Sequence, residues 1–230
     1  MKHLFKTLYF FVTLTLFIAC SSDDDSPREP YYQFNSDEKE LIIDYDYAAG
    51  QKIIYKNQEN ETIEFNVISN EQRISESFSR GTFSGGGIFE HSYDDKIIRI
   101  EIIDNCIGSG LTGDRTKLNY IFSKKDDEFN NGINFPLWNV LSSSFIDDLI
   151  NPINIFMTEF NNTQTSEMMI NGHLFTNVIT VNSGSSENDN FLYCDFMMQK
   201  NVNQIFYDYD FGIVQFNDVH GNEWKLIYPE

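Results

Sequence analysis

Two short stretches alternate aspartate and tyrosine, and these residue types together could bind a sugar. Residues 44–47 read Asp-Tyr-Asp-Tyr and residues 208–210 read Asp-Tyr-Asp. A tyrosine ring offers a sugar an apolar surface, and carboxylates accept hydrogen bonds from its hydroxyl groups. The structural alternative is that these tyrosines, with Tyr31, Tyr32 and Tyr207, form cross-strand pairs at a sheet edge. The pattern by itself favours the structural alternative.

Clustered oxygens raise two further possibilities, calcium binding and carboxylate catalysis. Segments 208–210 and 188–190 (Asn-Asp-Asn) offer the oxygen ligands that calcium prefers, but neither has EF-hand spacing. Pairs such as Asp94-Asp95, Asp126-Asp127 and Asp147-Asp148 are the residue type used for glycoside hydrolysis. With 35 acidic residues in the chain, such pairs arise by chance. We therefore expect solvated loops and strand ends, with no catalytic residue and no metal.

The histidines and the glycine-rich segment give no cofactor signal. His91, His173 and His220 are far apart and lack metal-ligand spacing, and we expect the last two to be exposed turn residues. Gly108–Gly113 matches the G-x-G-x-x-G pattern, but the residues after it predict a loop and a strand. The dinucleotide fingerprint requires a helix there. We expect a loop and no cofactor.

Composition limits the partners and the fold class. The 230 residues contain 16 basic and 35 acidic side chains, which gives a net charge of −19. Such a surface repels phosphate backbones, so we expect no nucleic-acid partner. Hydrophobic residues make up 41%, with 21 Phe and 12 Tyr. Because aromatic and β-branched residues favour strands, the composition predicts a mainly β protein.

The N-terminal segment carries a targeting pattern. A basic start at Lys2 and Lys6 precedes an apolar run over 8–18, which is too short to span a bilayer and ends before Ala19-Cys20. This run resembles the lipobox of bacterial lipoproteins. The resemblance implies removal of residues 1–19 and lipidation of Cys20, with 20–30 as a flexible acidic tether and a membrane anchor.

Asp23, Asp24 and Asp25 follow that cysteine directly. An acidic cluster in this place resembles the surface-export signal of Bacteroidota (flavobacterial-type) cell-envelope lipoproteins. The resemblance implies an outer-membrane lipoprotein displayed at the cell surface; a periplasmic orientation is the alternative. The Gly-Ile-Val-x-Phe and Gly-x-x-Trp-x-Leu segments near the C-terminus are similar to the ends of lipoproteins of this kind, which are built as β-meanders.

Two cysteines remain if Cys20 is lipidated. Cys106 and Cys194 lie in strand-like runs, and export would place them in an oxidising compartment. They could form a disulfide across a sheet, or remain two buried thiols. Both alternatives stay open.

Alternating apolar and polar residues predict strands through most of the chain. Leu137, Leu141, Phe145 and Leu149 recur at helical spacing, so we predict one helix at about 137–150 packed on the sheet. We also predict a single helical turn capped by Ser36. The predicted strands are 51–56, 62–67, 75–82, 88–93, 96–103, 117–123, 153–160, 167–170, 173–181, 190–198, 203–208, 211–217 and 223–228.

Together these features predict one domain, 31–230, built as an antiparallel meander in an open-barrel-like sheet. Its expected function is a non-catalytic binding or structural role at the cell envelope, with a glycan or a protein as ligand. Two alternatives remain: a carrier of lipids or lipoproteins with an apolar pocket under the helix, and an envelope glycan hydrolase. The sequence does not decide the oligomeric state.

Overall fold

The computed structural model describes residues 26–80, 87–103, 117–139, 154–186 and 201–229, and its strands form one sheet. One short helix, α1 (Ser36–Lys39), precedes most of them. The twelve strands are β1 (Tyr31–Tyr32), β2 (Lys52–Lys56), β3 (Thr62–Ser79), β4 (Ile88–Ile103), β5 (Lys117–Ser123), β6 (Asn130–Asn134), β7 (Asn154–Phe156), β8 (Ser166–Ile170), β9 (His173–Asn182), β10 (Val202–Asp208), β11 (Gly212–Asp218) and β12 (Glu223–Ile227).

Two antiparallel meanders meet in the middle of this sheet. The order is β7-β6-β5-β4-β3-β2-β12-β11-β10-β9-β8, so each strand except β2 and β12 pairs only with its sequence neighbours. β12 joins the meanders by pairing antiparallel with β2, where Leu226 lies opposite Tyr55. β1 lies off this path and pairs in parallel with β4.

The sheet is strongly curled around its core. Four strands separate β5 from β11, which would place them about 24 Å apart in a flat sheet. Instead, the Tyr120 hydroxyl of β5 accepts a hydrogen bond of 3.0 Å from the Ile213 amide of β11. Trp138, just after β6, also forms a parallel bridge with Val202 of β10. The prediction of a mainly β, open-barrel-like antiparallel sheet is confirmed.

The largest departure from the predicted strands lies in the first meander. Residues 62–67 and 75–82 were expected in separate hairpins, but β3 runs without a break from Thr62 to Ser79 and pairs with β4 along its length. Polar residues interrupt the apolar pattern there and still fit a two-stranded ribbon because they pair across it. Arg73 Nε, for example, donates to Asp95 Oδ2 at 3.0 Å.

The short predicted helix is present, but its cap is a different residue. Asn35 is the N-cap of α1, and its side chain accepts from the Glu38 amide at 2.9 Å while Glu38 Oε2 accepts from the Asn35 amide. This reciprocal capping box places Ser36 inside the helix, so the prediction of Ser36 as cap was wrong.

Several predictions concern residues outside the described part of the chain. Of the helix expected at 137–150, only 137–139 are described, and they form a turn and the bridge to Val202. The others are Cys20, Asp23, Asp24, Asp25, Cys106, Cys194, Gly108–Gly113, Asp147-Asp148, 188–190 and the strand 190–198. Among the described residues, no helix has the length and apolar character needed to cross a membrane.

Candidate ligand-binding cleft

An open cleft of about 270 Å³ lies where the start of β9, the β10–β11 turn, segment 44–45 and the end of β12 come together. We call it the aromatic–acidic cleft. Its volume falls just below the ~300–1,000 Å³ of typical small-molecule sites, which suits a group about the size of one sugar ring. It is lined by Asp44, Tyr45, His173, Leu174, Phe175, Thr176, Asp208, Asp210, Phe211 and Tyr228.

Backbone hydrogen bonds hold the walls of this cleft in place. The Asp210 carbonyl accepts from the amides of Asp44 (3.1 Å) and Tyr45 (2.9 Å), which ties segment 44–45 to the β10–β11 turn. Asn171 and Gly172 both have positive φ, as a two-residue hairpin turn between β8 and β9 requires. The Asn171 side chain donates to the Leu226 carbonyl at 2.8 Å and so fixes this turn against β12.

Aromatic rings form one wall of the cleft. The His173 and Tyr228 rings stack almost in parallel, with centroids 3.7 Å apart and 7° between their planes. Tyr45 packs on Phe211 with centroids 4.6 Å apart, and its hydroxyl accepts from the Gln51 amide group at 2.5 Å. His173 was expected to be an exposed turn residue, but it begins β9, is half-buried and belongs to this wall.

The carboxylates of the cleft differ in their surroundings. Asp208 is 2% exposed, and its oxygens accept from the backbone amides of Asn177, Asp210 and Phe211 at 3.0–3.2 Å. Burial raises the pKa of Asp208 in spite of these hydrogen bonds, and the nearby charge of Asp210 adds to the rise. Asp44 and Asp210 are exposed and can accept hydrogen bonds from a ligand.

The Asp208–Asp210 segment forms a turn, as its hydrogen bonds show. Asp208 Oδ1 accepts from the amides two and three residues later, which is the arrangement by which aspartate stabilises a tight turn. Asp210 Oδ2 accepts from the Asn177 side chain at 3.0 Å. Among the described residues, no group of three or more His, Cys, Asp or Glu side chains could hold a metal ion.

Most of the other tyrosines predicted for the sugar platform lie elsewhere. Tyr47 and Tyr207 are buried in the core. Tyr209 is also buried, and its hydroxyl donates to the Phe160 carbonyl at 3.3 Å. Tyr31 lies in β1, where burial and a hydrogen bond to Asp94 raise its pKa to about 12. Of the platform tyrosines, Tyr45 is the one that lines the cleft.

The remaining acidic pairs of the described part have structural partners. Asp94 accepts from the Tyr31 hydroxyl and from the Phe34 amide. Asp95 binds Arg73 and the Ser75 hydroxyl. Asp126 and Asp127 lie near His91 (3.4 Å) and Lys124 (3.3 Å), respectively. These pairs stabilise the chain around the base of the long hairpin.

A second depression of about 380 Å³ lies along β9, β10 and β11 and is lined mainly by amides and carboxylates. We call it the amide groove. Its side chains bind one another: Gln204 donates to Asn182 Oδ1 at 2.8 Å, and Asn217 donates to Gln204 Oε1 at 2.6 Å. No aromatic side chain lines it among the described residues.

Sequence reasoning identified the aspartates and Tyr45 but missed Tyr228 and Thr176. Tyr228 follows the last strand, and long-range contacts such as the pairing of β12 with β2 bring it beside Tyr45. That pairing joins residues more than 160 positions apart and leaves no local signal. No protein-family model, no curated protein and no solved structure matches this chain.

Proposed function

We propose that this chain is a lipid-anchored cell-envelope protein, displayed at the outer-membrane surface, that binds a neutral glycan in the aromatic–acidic cleft without cleaving it. The proposal has two parts, an anchor and a binding site. The anchor part is supported by the lipobox at Ala19-Cys20 and by the acidic residues after it. Two or more acyl chains on Cys20 would give stable anchoring, since each buried CH₂ contributes about 0.8 kcal/mol.

The chemistry of the cleft supports a glycan ligand. Sugar rings have apolar C–H faces and polar rims, and the cleft offers aromatic rings beside carboxylates and hydroxyls. Asp44 and Asp210 are exposed acceptors, and Thr176 is an exposed hydroxyl at the same opening. Because the three aspartates repel negative charge, a neutral glycan fits better than a uronate-containing one. The observation that carries the proposal is that the rings of His173, Tyr228 and Tyr45 line the same cleft as the exposed carboxylates of Asp44 and Asp210.

The hydrogen bonds of Asp208 support binding over hydrolysis. A glycosidase needs one carboxylic acid that can give its proton to the leaving group and a second carboxylate facing it. The raised pKa of Asp208 meets part of that requirement. However, both of its oxygens are occupied by backbone amides from below the cleft, so the carboxyl group is committed to the turn.

Affinity electrophoresis tests the binding site. The protein is run in native gels that contain a neutral β-glucan, a mannan, a xylan or an acidic pectin. We expect at least one neutral polysaccharide to retard it and pectin to have no effect. Tyr228→Ala should abolish the retardation because it removes the stacked wall, whereas Phe156→Ala should retain it, since Phe156 is 59% exposed on β7 and outside the cleft.

Two further readings complete this test. Retardation by a neutral glycan should not change with salt concentration, whereas a cationic ligand held by the aspartates would be displaced by salt. Release of reducing ends from the retarding polysaccharide would show hydrolysis and contradict the non-catalytic role. Equal retardation of the parent and Tyr228→Ala would contradict the assignment of the cleft.

Mass spectrometry of membrane-extracted protein tests the anchor. We expect an N-terminal peptide that begins at Cys20 and carries acyl chains, and we expect Cys20→Ser to remain unacylated and to leave the membrane fraction. Protease treatment of whole cells should remove a surface-displayed protein. An unmodified Cys20 thiol, or a retained 1–19 segment, would overturn the anchor. The assignment of the cleft would then depend on the affinity electrophoresis alone.

A further inference from the structure

The β3–β4 hairpin extends beyond the strands that flank it. β2 pairs only with Thr62–Asn66 of β3, and β5 pairs only with Asp95–Glu101 of β4. Past both of these points the ribbon continues as Ile74–Ser79 paired with Ile88–Asp94, which we call the arm, and β1 pairs with the arm only at Ser92 and Tyr93. At about 3.4 Å per residue, its β3 strand is roughly 20 Å long.

The distal end of the arm exposes large apolar side chains on both of its faces. Phe78 is 50% exposed and Ile88 is 65% exposed. Phe78 lies opposite Phe89 with ring centroids 6.0 Å apart, and Ile88 lies opposite Ser79 one position further along. Because successive side chains point to opposite faces of a strand, the Phe78–Phe89 pair and Ile88 face opposite sides. If the ribbon folded back onto the sheet, only the face that contacts the sheet would need to be apolar.

Two arginines lie beside the aromatic rings at this end. Arg28 lies over the Phe89 ring at 3.9 Å and pairs with Glu76 at 3.7 Å. Arg80, Glu29 and Glu90 are exposed nearby. Two arginines therefore face three glutamates here, which leaves this end only weakly negative, while the chain as a whole carries −19. Apolar and aromatic groups beside arginines suit the interface of a bilayer, where arginine can reach lipid phosphates.

The start of the described chain lies at the same end of the arm. β1 runs parallel to β4, with Tyr31 opposite Ser92, and the Pro30 carbonyl accepts from the Ser92 amide at 2.8 Å. Going backwards from Tyr31, the chain therefore proceeds towards Phe89 and the distal end, where Arg28 packs. Cys20 is only six residues before Ser26, a reach of at most about 21 Å. A lipid on Cys20 would keep the bilayer close to this end.

From these observations we infer that the distal end of the arm is a membrane-docking surface, which inserts Phe78 and Ile88 into the interface of the bilayer that holds Cys20. The inference rests on the lipid anchor proposed above. Docking at a second point would restrict the tilt of the protein, since one flexible tether leaves it free to rotate. Zwitterionic lipids are the expected partners because the net charge of the chain disfavours anionic ones.

Tryptophan reporters in proteoliposomes test this inference. The acylated full-length protein, with Cys20 modification checked by mass spectrometry, is reconstituted into phosphatidylcholine vesicles with or without bromine on the acyl chains. The reporters are Phe78→Trp and Ile88→Trp, and the control is Phe156→Trp on β7. The parent signal from Trp138 and Trp224 is subtracted. We expect brominated lipid to remove most of the emission of both arm reporters and none of the control emission.

The possible outcomes separate the inference from the anchor. Acylated protein whose arm reporters are not quenched would overturn docking and leave the anchor intact. Arm emission that is blue-shifted but unquenched would assign the surface to a second copy of the chain, which also overturns docking. A bare Cys20 overturns the anchor and docking together. Unchanged urea midpoints of the arm variants, expected from their exposure, show that the fold is retained.

Discussion

Tyr45 and Tyr47 lie two residues apart, yet they belong to two different environments. Tyr45 lines the open aromatic–acidic cleft, whereas Tyr47 is 2% exposed in the core. Both contact the same ring, since Phe211 lies 4.6 Å from Tyr45 and 5.5 Å from Tyr47 between centroids. The two tyrosine rings also contact each other, with centroids 4.8 Å apart, so one aromatic cluster joins the cleft to the core.

The core tyrosines complete the hydrogen bonding of β11 where the sheet curls. The hydroxyls of Tyr47 and Tyr55 donate to the carbonyls of Phe211 and Ile213, each at 2.6 Å. The Ile213 amide donates to Tyr120 at 3.0 Å. Burial raises the pKa values of Tyr47, Tyr55 and Tyr120, so these hydroxyls stay neutral. In the cleft, the side chains of Asp44, Thr176 and Asp210 are exposed to solvent.

This comparison teaches that the buried tyrosine hydroxyls stabilise the fold, whereas the partly exposed hydroxyl of Tyr45 does not. Replacing a core tyrosine should cost stability, whereas replacing a cleft tyrosine should cost binding. Each prediction below tests one side of that difference.

Tyr120→Ala should have the largest effect on stability. It removes a fully buried ring that joins β5 to β11, and large-to-small substitutions of core aromatics cost about 3–5 kcal/mol. Tyr120→Phe should cost about 1–3 kcal/mol, because the buried Ile213 amide loses its acceptor. Urea unfolding measures both. A cost below about 1 kcal/mol for Tyr120→Ala would contradict the role of Tyr120 in holding the curl.

Gly212→Ala should destabilise by about 2–4 kcal/mol, since backbone strain and overpacking each cost about 1–3 kcal/mol. Gly212 has a φ of +103°, and an added Cβ would lie 2.8 Å from both Cζ and the hydroxyl oxygen of Tyr120. Gly221→Ala is the matched control: its φ is +85°, but nothing lies within 4 Å. Thermal unfolding of both variants separates the cost of the contact with Tyr120 from the cost of the strained backbone, since only Gly212→Ala makes that contact. Equal losses would mean that the approach of Tyr120 contributes nothing.

Removing single hydroxyls tests the difference between Tyr45 and Tyr47. Tyr47→Phe leaves the buried Phe211 carbonyl without its partner and should cost about 1–3 kcal/mol. Tyr45→Phe should stay within about 0.5 kcal/mol of the parent, since its hydroxyl is partly exposed. Urea midpoints measure the two losses side by side. If Tyr45→Phe costs as much as Tyr47→Phe, the division into cleft and core is wrong.

The smallest effect that we expect is the pH dependence due to Asp208. Its folded pKa is raised by burial, so the folded state binds more protons than the unfolded state between the two pKa values. Its contribution to stability is therefore fully present below the unfolded pKa and is lost as the pH rises through the folded pKa. The free energy of unfolding of the parent relative to Asp208→Asn should fall as the pH rises above about 4, the ordinary pKa of an aspartate. A difference that stays constant or rises would contradict the raised pKa.

Local sequence patterns predicted the strands well where pairing is local. The β11–β12 hairpin and the turn at Asn171-Gly172 follow from turn residues between apolar runs, and both are present. Period-two alternation would place Tyr45 and Tyr47 on the same face, since residues two apart point the same way along a strand. They are separated because segment 41–51 lies outside the strands and is held beside the β10–β11 turn by the Asp210 carbonyl, a long-range contact that local patterns do not encode. The contacts of Tyr228 with Tyr45 and His173 are also long-range.

The central claim is that the aromatic–acidic cleft, and not the amide groove, binds a neutral glycan. The most direct test follows amide and histidine-ring NMR signals while a soluble oligosaccharide from the retarding polysaccharide is added. We expect saturable shifts at the His173 ring and at the amides of Thr176 and Asp210, and unchanged signals at Asn203 and Asn217. Shifts confined to Asn203 and Asn217, or no shift at any residue, would contradict the claim.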